Sequence, residues 1–319
     1  MRLRQIPALL LALALAGFAV PLHALPAQAQ SDSAEMPPMP RPRPLAPSVQ
    51  SPATGSAATA AIAAVTSAPQ PVTLTARITP DGTPIPDGVV WRIFESTTDS
   101  AGEMALMAKS DGGVAQVELP PGEYVVHVAY GRAQLSEPIS VVPGPNAQDF
   151  VLEAGALRLN SAVTGDIAIP PNMLTFDIFT GDETGRTMVA EGLLPNDIVT
   201  LNAGTYHIIS HFGTVNAVVR ADLRVEPGQL TDATLFHHAS QIAFKLVSEA
   251  GGEAIADVEW TVKTADGATV FADLGAFPST VLAEGDYLVL AKQGDQVFNR
   301  EFQVSPGSAR EIEVLTAVY

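Results

Sequence analysis

The stretch LPPGEYVVHVAYG (residues 119–131) decides the fold because it returns twice, as LNAGTYHIISHFG (201–213) and LAEGDYLVLAKQG (282–294). In each copy a glycine lies two residues before a tyrosine, and a second glycine lies seven residues after that tyrosine. The first glycines, at 122, 204 and 285, are 82 and 81 residues apart. A regular period of this length indicates a tandem array of one structural unit.

Two further landmarks repeat with the same period. Upstream, an aromatic residue lies between aliphatic residues at alternate positions, and the three aromatic residues are Trp91, Phe176 and Trp260. Alternation with a period of two is typical of a strand with one buried face, so these rings are predicted to occupy equivalent core positions. Downstream, a Pro-Gly pair ends the next predicted strand in each copy, at 143–144, 227–228 and 306–307.

The repeated glycines and tyrosines have distinct predicted roles. The first glycine of each copy suits a turn with a positive φ angle. The tyrosine is predicted to face inward, with its hydroxyl free to hydrogen-bond a nearby loop. The second glycines, Gly131, Gly213 and Gly294, suit hairpin turns. Units of about 80 residues with frequent turn signals have the size of a β-sandwich.

We therefore predict an all-β chain of three tandem sandwiches, immunoglobulin-like or prealbumin-like, at residues 72–155, 156–240 and 241–319. The pattern Leu-x-x-Gly-x-Tyr-x-Val, followed by Val-x-Pro-Gly, resembles prealbumin-like modules of the carboxypeptidase regulatory-domain type. Bacteria use such modules in tandem on envelope proteins. The pattern also resembles the repeats that follow von Willebrand A domains in some bacterial proteins. The resemblance implies a non-catalytic fold, and the adhesion motif Asp-x-Ser-x-Ser is absent from the sequence.

The first 71 residues differ in composition from the repeats. Residues 1–29 have two arginines, an apolar run and an Ala-Gln-Ala end, which predicts a secretory signal peptide, with an uncleaved membrane anchor as the alternative. The apolar run is short for a bilayer span, which needs about 20 residues. Residues 30–71 are rich in Pro and Ala and are predicted to be a disordered linker. This linker is either a spacer or a docking peptide that uses Arg41 and Arg43.

Composition limits the choice of partner and location. The chain carries 17 Lys and Arg residues against 34 Asp and Glu residues, a net charge of −17. Such a chain repels nucleic acid and anionic membrane surfaces. It has no cysteine, which excludes disulfides and a lipoprotein anchor. With a cleaved signal and no later span, we expect a periplasmic, secreted or cell-surface protein.

No catalytic, cofactor or metal signature is present in the sequence. There is no Gly-x-Ser-x-Gly elbow and no phosphate-binding loop. His207 and His211 are predicted on the outer face of one strand, about 13 Å apart, too far to bind one ion unaided. The histidines are interpreted as scattered on the surface. The alternative is a transition-metal site that joins one of these two to His237 or His238.

Two other kinds of site stay open at this stage. Asp-Gly turns at 81–82, 87–88 and 266–267, with the acidic turn at 181–183, are either ordinary hairpin turns or structural calcium sites. Tyr130 and Phe212 are either residues at the edge of the core or a small exposed aromatic patch for glycans. We expect no enzyme and no cofactor. The predicted function is a scaffold that binds protein partners in the cell envelope, with a glycan- or small-ligand-binding protein as the alternative.

Overall fold

The repeated sequence forms three sandwiches with the same strand order. The computed structural model describes residues 54–181 and 184–316. Each sandwich packs a sheet of three principal strands, to which the second sandwich adds one short strand, against a four-stranded sheet, which confirms the predicted all-β tandem architecture. Within each three-stranded sheet the first and last strands of the sandwich run parallel, whereas the other principal pairs are antiparallel.

The strands follow one another with short connections. The first sandwich contains β1 (Gln70–Arg77), β2 (Val89–Thr98), β3 (Met104–Asp111), β4 (Val114–Leu119), β5 (Gly122–Tyr130), β6 (Ala133–Val141) and β7 (Asn146–Val151). The second contains β8 (Ala154–Val163), β9 (Ile167–Ala168), β10 (Leu174–Thr180), β11 (Thr187–Leu193), β12 (Ile198–Asn202), β13 (Gly204–Phe212), β14 (Ala217–Val225) and β15 (Leu230–His237), with a 3-10 turn at Pro171–Met173. The third contains β16 (Ala239–Val247), β17 (Glu259–Thr264), β18 (Thr269–Leu274), β19 (Ser279–Ala283), β20 (Gly285–Gln293), β21 (Gln296–Val304) and β22 (Arg310–Leu315).

Sheet order is the same in each sandwich. The three-stranded sheets are β4-β1-β7, β12-β8-β15 and β19-β16-β22. The four-stranded sheets are β3-β2-β5-β6, β11-β10-β13-β14 and β18-β17-β20-β21. The short strand β9 pairs with β8 and lies outside this common pattern. The matching orders establish which residues of the three sandwiches are equivalent, because equivalent strands pair at equivalent positions.

The predicted core aromatics lie at the centre of each sandwich. Trp91, Phe176 and Trp260 are at most 1% exposed, which confirms the prediction from strand alternation. Burial of an indole leaves its N–H in need of an acceptor. Trp91 donates to the carbonyl of Gly112 and Trp260 to the carbonyl of Gly275, each at 2.8 Å. The apolar rings therefore fill the core at no cost in unpaired donors.

The repeated tyrosines face inward and close a corner before the strand. The hydroxyls of Tyr124, Tyr206 and Tyr287 donate to the carbonyls four residues upstream, at 2.8–2.9 Å. The positive φ predicted for the preceding glycines is found at Gly204 and Gly285, with φ of 159° and 155°, but not at Gly122. The tyrosine ring also lies close to each glycine, where a Cβ would meet it at 3.6–4.0 Å.

Part of the predicted linker is ordered in the structure. A helix, α1 (Thr54–Ser67), precedes the first sandwich, and β1 already begins at Gln70. The sequence predicted disorder for residues 30–71, whereas residues 54–67 form this helix. The segment is rich in alanine, which is the strongest helix former. Residues 1–53, which include the predicted signal peptide, lie outside the described residues. Among the residues that are described, no helix is long and apolar enough to cross a membrane.

The first joint connects the first and second sandwiches through backbone and amide hydrogen bonds. Only residues 152–153 separate β7 from β8. The N–H of Arg132, in the β5–β6 hairpin, donates to the carbonyl of Thr200 at 3.0 Å. Asn202 accepts from the N–H of Gln134 at 3.0 Å and donates to the carbonyl of Leu152 at 2.9 Å. The β5–β6 hairpin of the first sandwich and β12 of the second are therefore held together by hydrogen bonds next to the linker.

The second joint connects the second and third sandwiches and is partly apolar. Only residue 238 separates β15 from β16. Asn216, in the β13–β14 hairpin, accepts from the N–H of Ala283 at 3.0 Å and donates to the hydroxyl of Tyr287 at 2.8 Å. Val281 of the third sandwich is 1% exposed and belongs to the apolar cluster of the second. Val215 of the second packs against the cluster of the third.

Candidate functional site

A buried chain of polar side chains crosses the core of the second sandwich. Ser161 on β8 and His237 on β15 belong to the three-stranded sheet, and Ser210 on β13 faces them from the other sheet. The Ser161 and Ser210 hydroxyls are 2.9 Å apart, and the Ser210 hydroxyl is 2.8 Å from Nε2 of His237. All three residues are at most 4% exposed. The chain thus joins the two sheets by hydrogen bonds inside an apolar core.

The imidazole of His237 is held neutral. Burial, together with the nearby His211, lowers the pKa of His237 from 6.5 to about 4. Nδ1 has no hydrogen-bond partner among the described residues. An unpaired acceptor costs less than an unpaired N–H donor in this setting, so we place the proton on Nε2, facing Ser210. His237 is therefore a core histidine, and its interpretation as a surface residue is wrong.

This Ser–His pair is closed to substrate. A hydroxyl nucleophile must reach the substrate while its base accepts the proton. Ser210 is fully buried and His237 is 1% exposed, so neither atom can meet a molecule from solvent. The arrangement can strengthen and position the two sheets, but it cannot carry out acyl transfer in the folded state.

The polar chain is specific to the second sandwich. Residues equivalent to Ser210 are Val128 in the first sandwich and Ala291 in the third, as the strand registers show. His237 corresponds to Leu152, which is 2% exposed. Aligning the repeats gives polar Ser210 where the other copies have Val128 and Ala291, and His237 where the first has Leu152 and the third has Thr316. That alignment is the signal in the sequence that could have placed Ser210 and His237 in the core.

The other predicted histidines lie on the outer face of the four-stranded sheet, as alternation indicates. His207 contacts Asp222 at 2.8 Å, and His211 contacts Asp177 at 3.0 Å. The second carboxylate oxygen of Asp177 accepts from the N–H of Gly192 at 2.9 Å. Each histidine therefore has its own acidic partner, and the structure does not bring His207 and His211 together.

A shallow polar cleft lies beside the second of these pairs. Its volume is about 310 Å³, and it runs from the β10–β11 edge to the β13–β14 hairpin. Asp177, Glu191 and His211 line it together with Thr175 and Thr214. Two carboxylates and two hydroxyls suit a small polar ligand with hydrogen-bond donors.

Metal coordination has no support from the arrangement of ligands. Within residues 54–181 and 184–316, no three His, Asp or Glu side chains converge on a point that could hold an ion. Neither the proposed histidine site nor calcium at the turns near Asp81, Asp87 and Asp266 has such a group. The acidic pair at 182–183 lies outside the described residues.

The two aromatic candidates are not a joint exposed patch. Phe212 is 4% exposed, and its ring meets His237 edge-on at a centroid distance of 5.8 Å. Tyr130 is partly buried against the core of the first sandwich, with its ring close to Gly88. The alternative of an exposed aromatic patch that includes Phe212 is therefore wrong, because its ring packs in the core next to the second joint.

Comparison with protein families identifies one match. Residues 241–316, the third sandwich, match a family model described as a Rhizobiales growth-associated tandem repeat domain. This supports the interpretation of the chain as a tandem repeat. No match is found among curated protein sequences.

Several solved structures of bacterial proteins are similar at low identity. The minor pilin GBS52 of Streptococcus agalactiae is 16% identical, with 53% of this chain and 95% of that one covered and a TM-score of 0.32. A streptococcal ancillary pilin is 10% identical, covering 78% and 100%, with a TM-score of 0.30. The Bacillus anthracis TIE protein is 15% identical, covering 78% of this chain and half of that one, with a TM-score of 0.24. Similarity at this level does not indicate a function for this chain.

Proposed function

We propose that the chain is an exported, non-catalytic scaffold of the cell envelope that binds protein partners through its tandem sandwiches. The two joints are the observation that supports this most. One- and two-residue linkers, reinforced by the amides of Asn202 and Asn216, hold neighbouring sandwiches in defined relative positions. Surfaces on several sandwiches are therefore presented together, which reduces the entropy lost on binding and favours avidity.

The chemistry of the interior agrees with a scaffold. Apolar residues dominate the first and third cores, and the polar chain of the second core is sealed from solvent. The net charge of −17 favours a partner with a basic surface, because long-range attraction speeds encounter. The predicted signal peptide and absent cysteines favour the periplasm or the cell surface. The segment 30–53 is assigned a spacer role.

In-cell photo-crosslinking tests this proposal at matched positions. Ser136, Arg220 and Asn299 are equivalent exposed residues on β6, β14 and β21, so a photoreactive amino acid at each samples the same face of a different sandwich. We expect the same envelope protein to be captured from at least two of the positions. Capture should persist when residues 30–53 are deleted.

Two outcomes would contradict the scaffold function. Capture that disappears with residues 30–53 would move the binding site to the proline-rich segment. No captured protein at any of the three positions, with the chain correctly exported, would remove the support for protein binding by the sandwiches.

A small-ligand function is the second candidate, because of the polar cleft beside Asp177 and His211. Calorimetric titration with neutral and amino sugars tests it. A saturable signal that is lost in His211→Ala and kept in His207→Ala would support a ligand site in the cleft. His207 is the matched control because it has its own acidic partner and does not line the cleft.

A further inference from the structure

The edge strand β3 of the first sandwich exposes an uncharged apolar segment. Its residues Met104, Leu106 and Met107 are 40%, 43% and 44% exposed. The strand pairs with β2 on one side, and no strand of the described part of the chain pairs with the other. Such an edge offers free backbone donors and acceptors together with apolar side chains.

Most of the other edges of the four-stranded sheets are protected. β6 contains Pro138, and β14 alternates charged residues, among them Arg220 and Asp222. A proline or a run of charges discourages pairing with another strand. At the β11 edge, the guanidinium of Arg132 from the first sandwich occupies the Val189 carbonyl at 2.6 Å. β21 carries adjacent charges at 300–301. β18 carries an aspartate at 273 and exposes Leu274, so it is the edge most similar to β3, whose charged residues are Lys109 and Asp111.

The exposed segment is held in place by an ordered turn. Asp99 accepts hydrogen bonds from the N–H groups of Ala101 and Glu103 through its side chain, at 2.8 and 2.9 Å. The β2–β3 hairpin extends past Glu95, the last β2 residue that pairs with β5. The β2–β3 pairing has register shifts on both sides of the Phe94–Leu106 pair, so the hairpin presents an irregular outer edge beyond the body of the sandwich.

We propose that β3 pairs with β3 of a second copy of this chain, antiparallel and centred on Leu106. In this register Leu106 faces Leu106 of the second copy. Met104 faces Ala108 and Met107 faces Ala105, so each large side chain meets a small one. Antiparallel pairing of one strand with itself is a two-fold symmetric interface, the commonest kind in homodimers.

Charge complementarity selects the register and the occupant. Glu103 and Lys109 lie three residues on either side of Leu106, so each glutamate faces the lysine of the other copy. Both side chains are exposed and have no ion pair within the described residues. A slip by one residue in either direction places neither lysine opposite a glutamate and reverses which side chains share a face. The second copy thus supplies an ion-pair partner for both Glu103 and Lys109.

A cysteine substitution at the symmetry axis tests the pairing directly. The chain has no cysteine, so any disulfide in Leu106→Cys must join two copies. Opposite residues of an antiparallel pair have Cβ atoms about 4.5–5.5 Å apart, close enough for a disulfide after a small shift. We expect mild oxidation of the purified chain to give mostly covalent dimer. Leu194→Cys, a 56% exposed control on the second sandwich, should stay mostly monomeric.

A charge exchange tests the register without relying on the cysteine. In sedimentation equilibrium, Glu103→Lys and Lys109→Glu should each weaken dimerisation about tenfold, because two attractive pairs become repulsive. The double variant should recover the affinity of the unsubstituted chain. Glu103 and Lys109 are both exposed, so we expect each variant to fold. Circular dichroism checks this.

Three results would overturn the dimer. These are an unsubstituted chain that sediments as a monomer at all concentrations, equal cross-linking of Leu106→Cys and Leu194→Cys, and a double variant no tighter than the single ones. The dimer does not depend on the scaffold function, because pairing is measured on the purified chain alone.

Discussion

The two joints hold the same kinds of sandwich end to end, but they use different chemistry. At the first joint, Asn202 comes from the following sandwich and reaches back to Gln134. At the second, Asn216 comes from the preceding sandwich and reaches forward to Ala283. The same bond, from a side-chain amide oxygen to a backbone N–H, thus forms from opposite sides of the interface.

Apolar contact is more extensive at the second joint, where Ala239 and Val281 belong to the core cluster of the preceding sandwich, than at the first, where Ala154 does so. Val281 fills the position where the first joint has Thr200, and it lies within the core cluster of the neighbouring sandwich. Next to it, Phe212 packs on the neutral imidazole of His237. The comparison shows that both joints combine hydrogen bonds with apolar contact and that the second joint relies more on apolar contact. The second joint should therefore be sensitive to packing and to acid, whereas the first should not.

The largest expected difference between the two joints is the loss of stability at low pH, which we expect only for the second. The pKa of His237 is about 4 in the folded chain and 6.5 when it is exposed, so unfolding takes up a proton below pH 6.5. The contribution of neutral His237 to the free energy of unfolding is complete above pH 6.5 and is lost as the pH falls towards 4. The loss is about 2.5 kcal/mol at pH 4.5. Urea unfolding at pH 7.5 and 4.5 measures this loss.

His237→Leu is the matched control, because the first sandwich has Leu152 at the equivalent position. The variant should lose less stability than the unsubstituted chain over the same pH change, by about 2.5 kcal/mol. Equal losses in the two proteins would show that His237 is not the source of the acid sensitivity.

Close packing at the hairpin should give the next largest effect. Gly213 has a φ of 72°, and an added Cβ would lie 2.9 Å from side-chain carbons of Val281. Gly213→Ala should cost about 2 kcal/mol or more, since left-handed strain of about 1 kcal/mol adds to the steric conflict. Urea unfolding followed by Trp260 fluorescence in a Trp91→Phe background reports on the third sandwich.

Gly294 provides the control for strain alone. Its φ is 56°, and a Cβ there would meet no atom within 4 Å. Gly294→Ala should cost only about 1 kcal/mol. If both substitutions cost the same, contact with Val281 contributes nothing to the second joint.

The smallest expected effects separate the two asparagines. Asn202→Ala should reduce the hydrogen-exchange protection of the Gln134 amide about fivefold, for a loss of about 1 kcal/mol. Asn216→Ala should do the same to the Ala283 amide. Each variant is the control for the other, because the two joints share no hydrogen bond. Loss of protection at both amides in either variant would show that the joints open together.

Much of the fold could be predicted from the sequence because its signals are local. Alternation around Trp91, Phe176 and Trp260 fixed the inward face of one strand per sandwich, and the rings are buried. The glycines at 131, 213 and 294 mark hairpins with φ of 56–72°. Of the glycines before the tyrosines, Gly204 and Gly285 have the predicted positive φ and Gly122 does not, since proximity to an aromatic ring also selects glycine.

The candidate site was harder to predict. Alternation correctly placed His207 and His211 on the outer face, but their acidic partners lie on neighbouring strands, where no local pattern pairs them. His237 was misplaced because its surroundings depend on the opposite sheet. Only the packing of the two sheets, which places β13 opposite β15 across the core, brings Ser210 to its ring.

Local sequence patterns were enough to predict that this protein is a threefold repeat, that its units are sandwiches, and that Trp91, Phe176 and Trp260 lie in the cores. These properties follow from period-two alternation and turn residues, which act over a few positions. Tertiary structure alone decided that Val281 seals a neighbouring core, that Asn202 and Asn216 act from opposite sides, and that His237 stays neutral. Each of those depends on contacts between residues far apart in the chain, which are fixed only when the hairpins and sheets have packed.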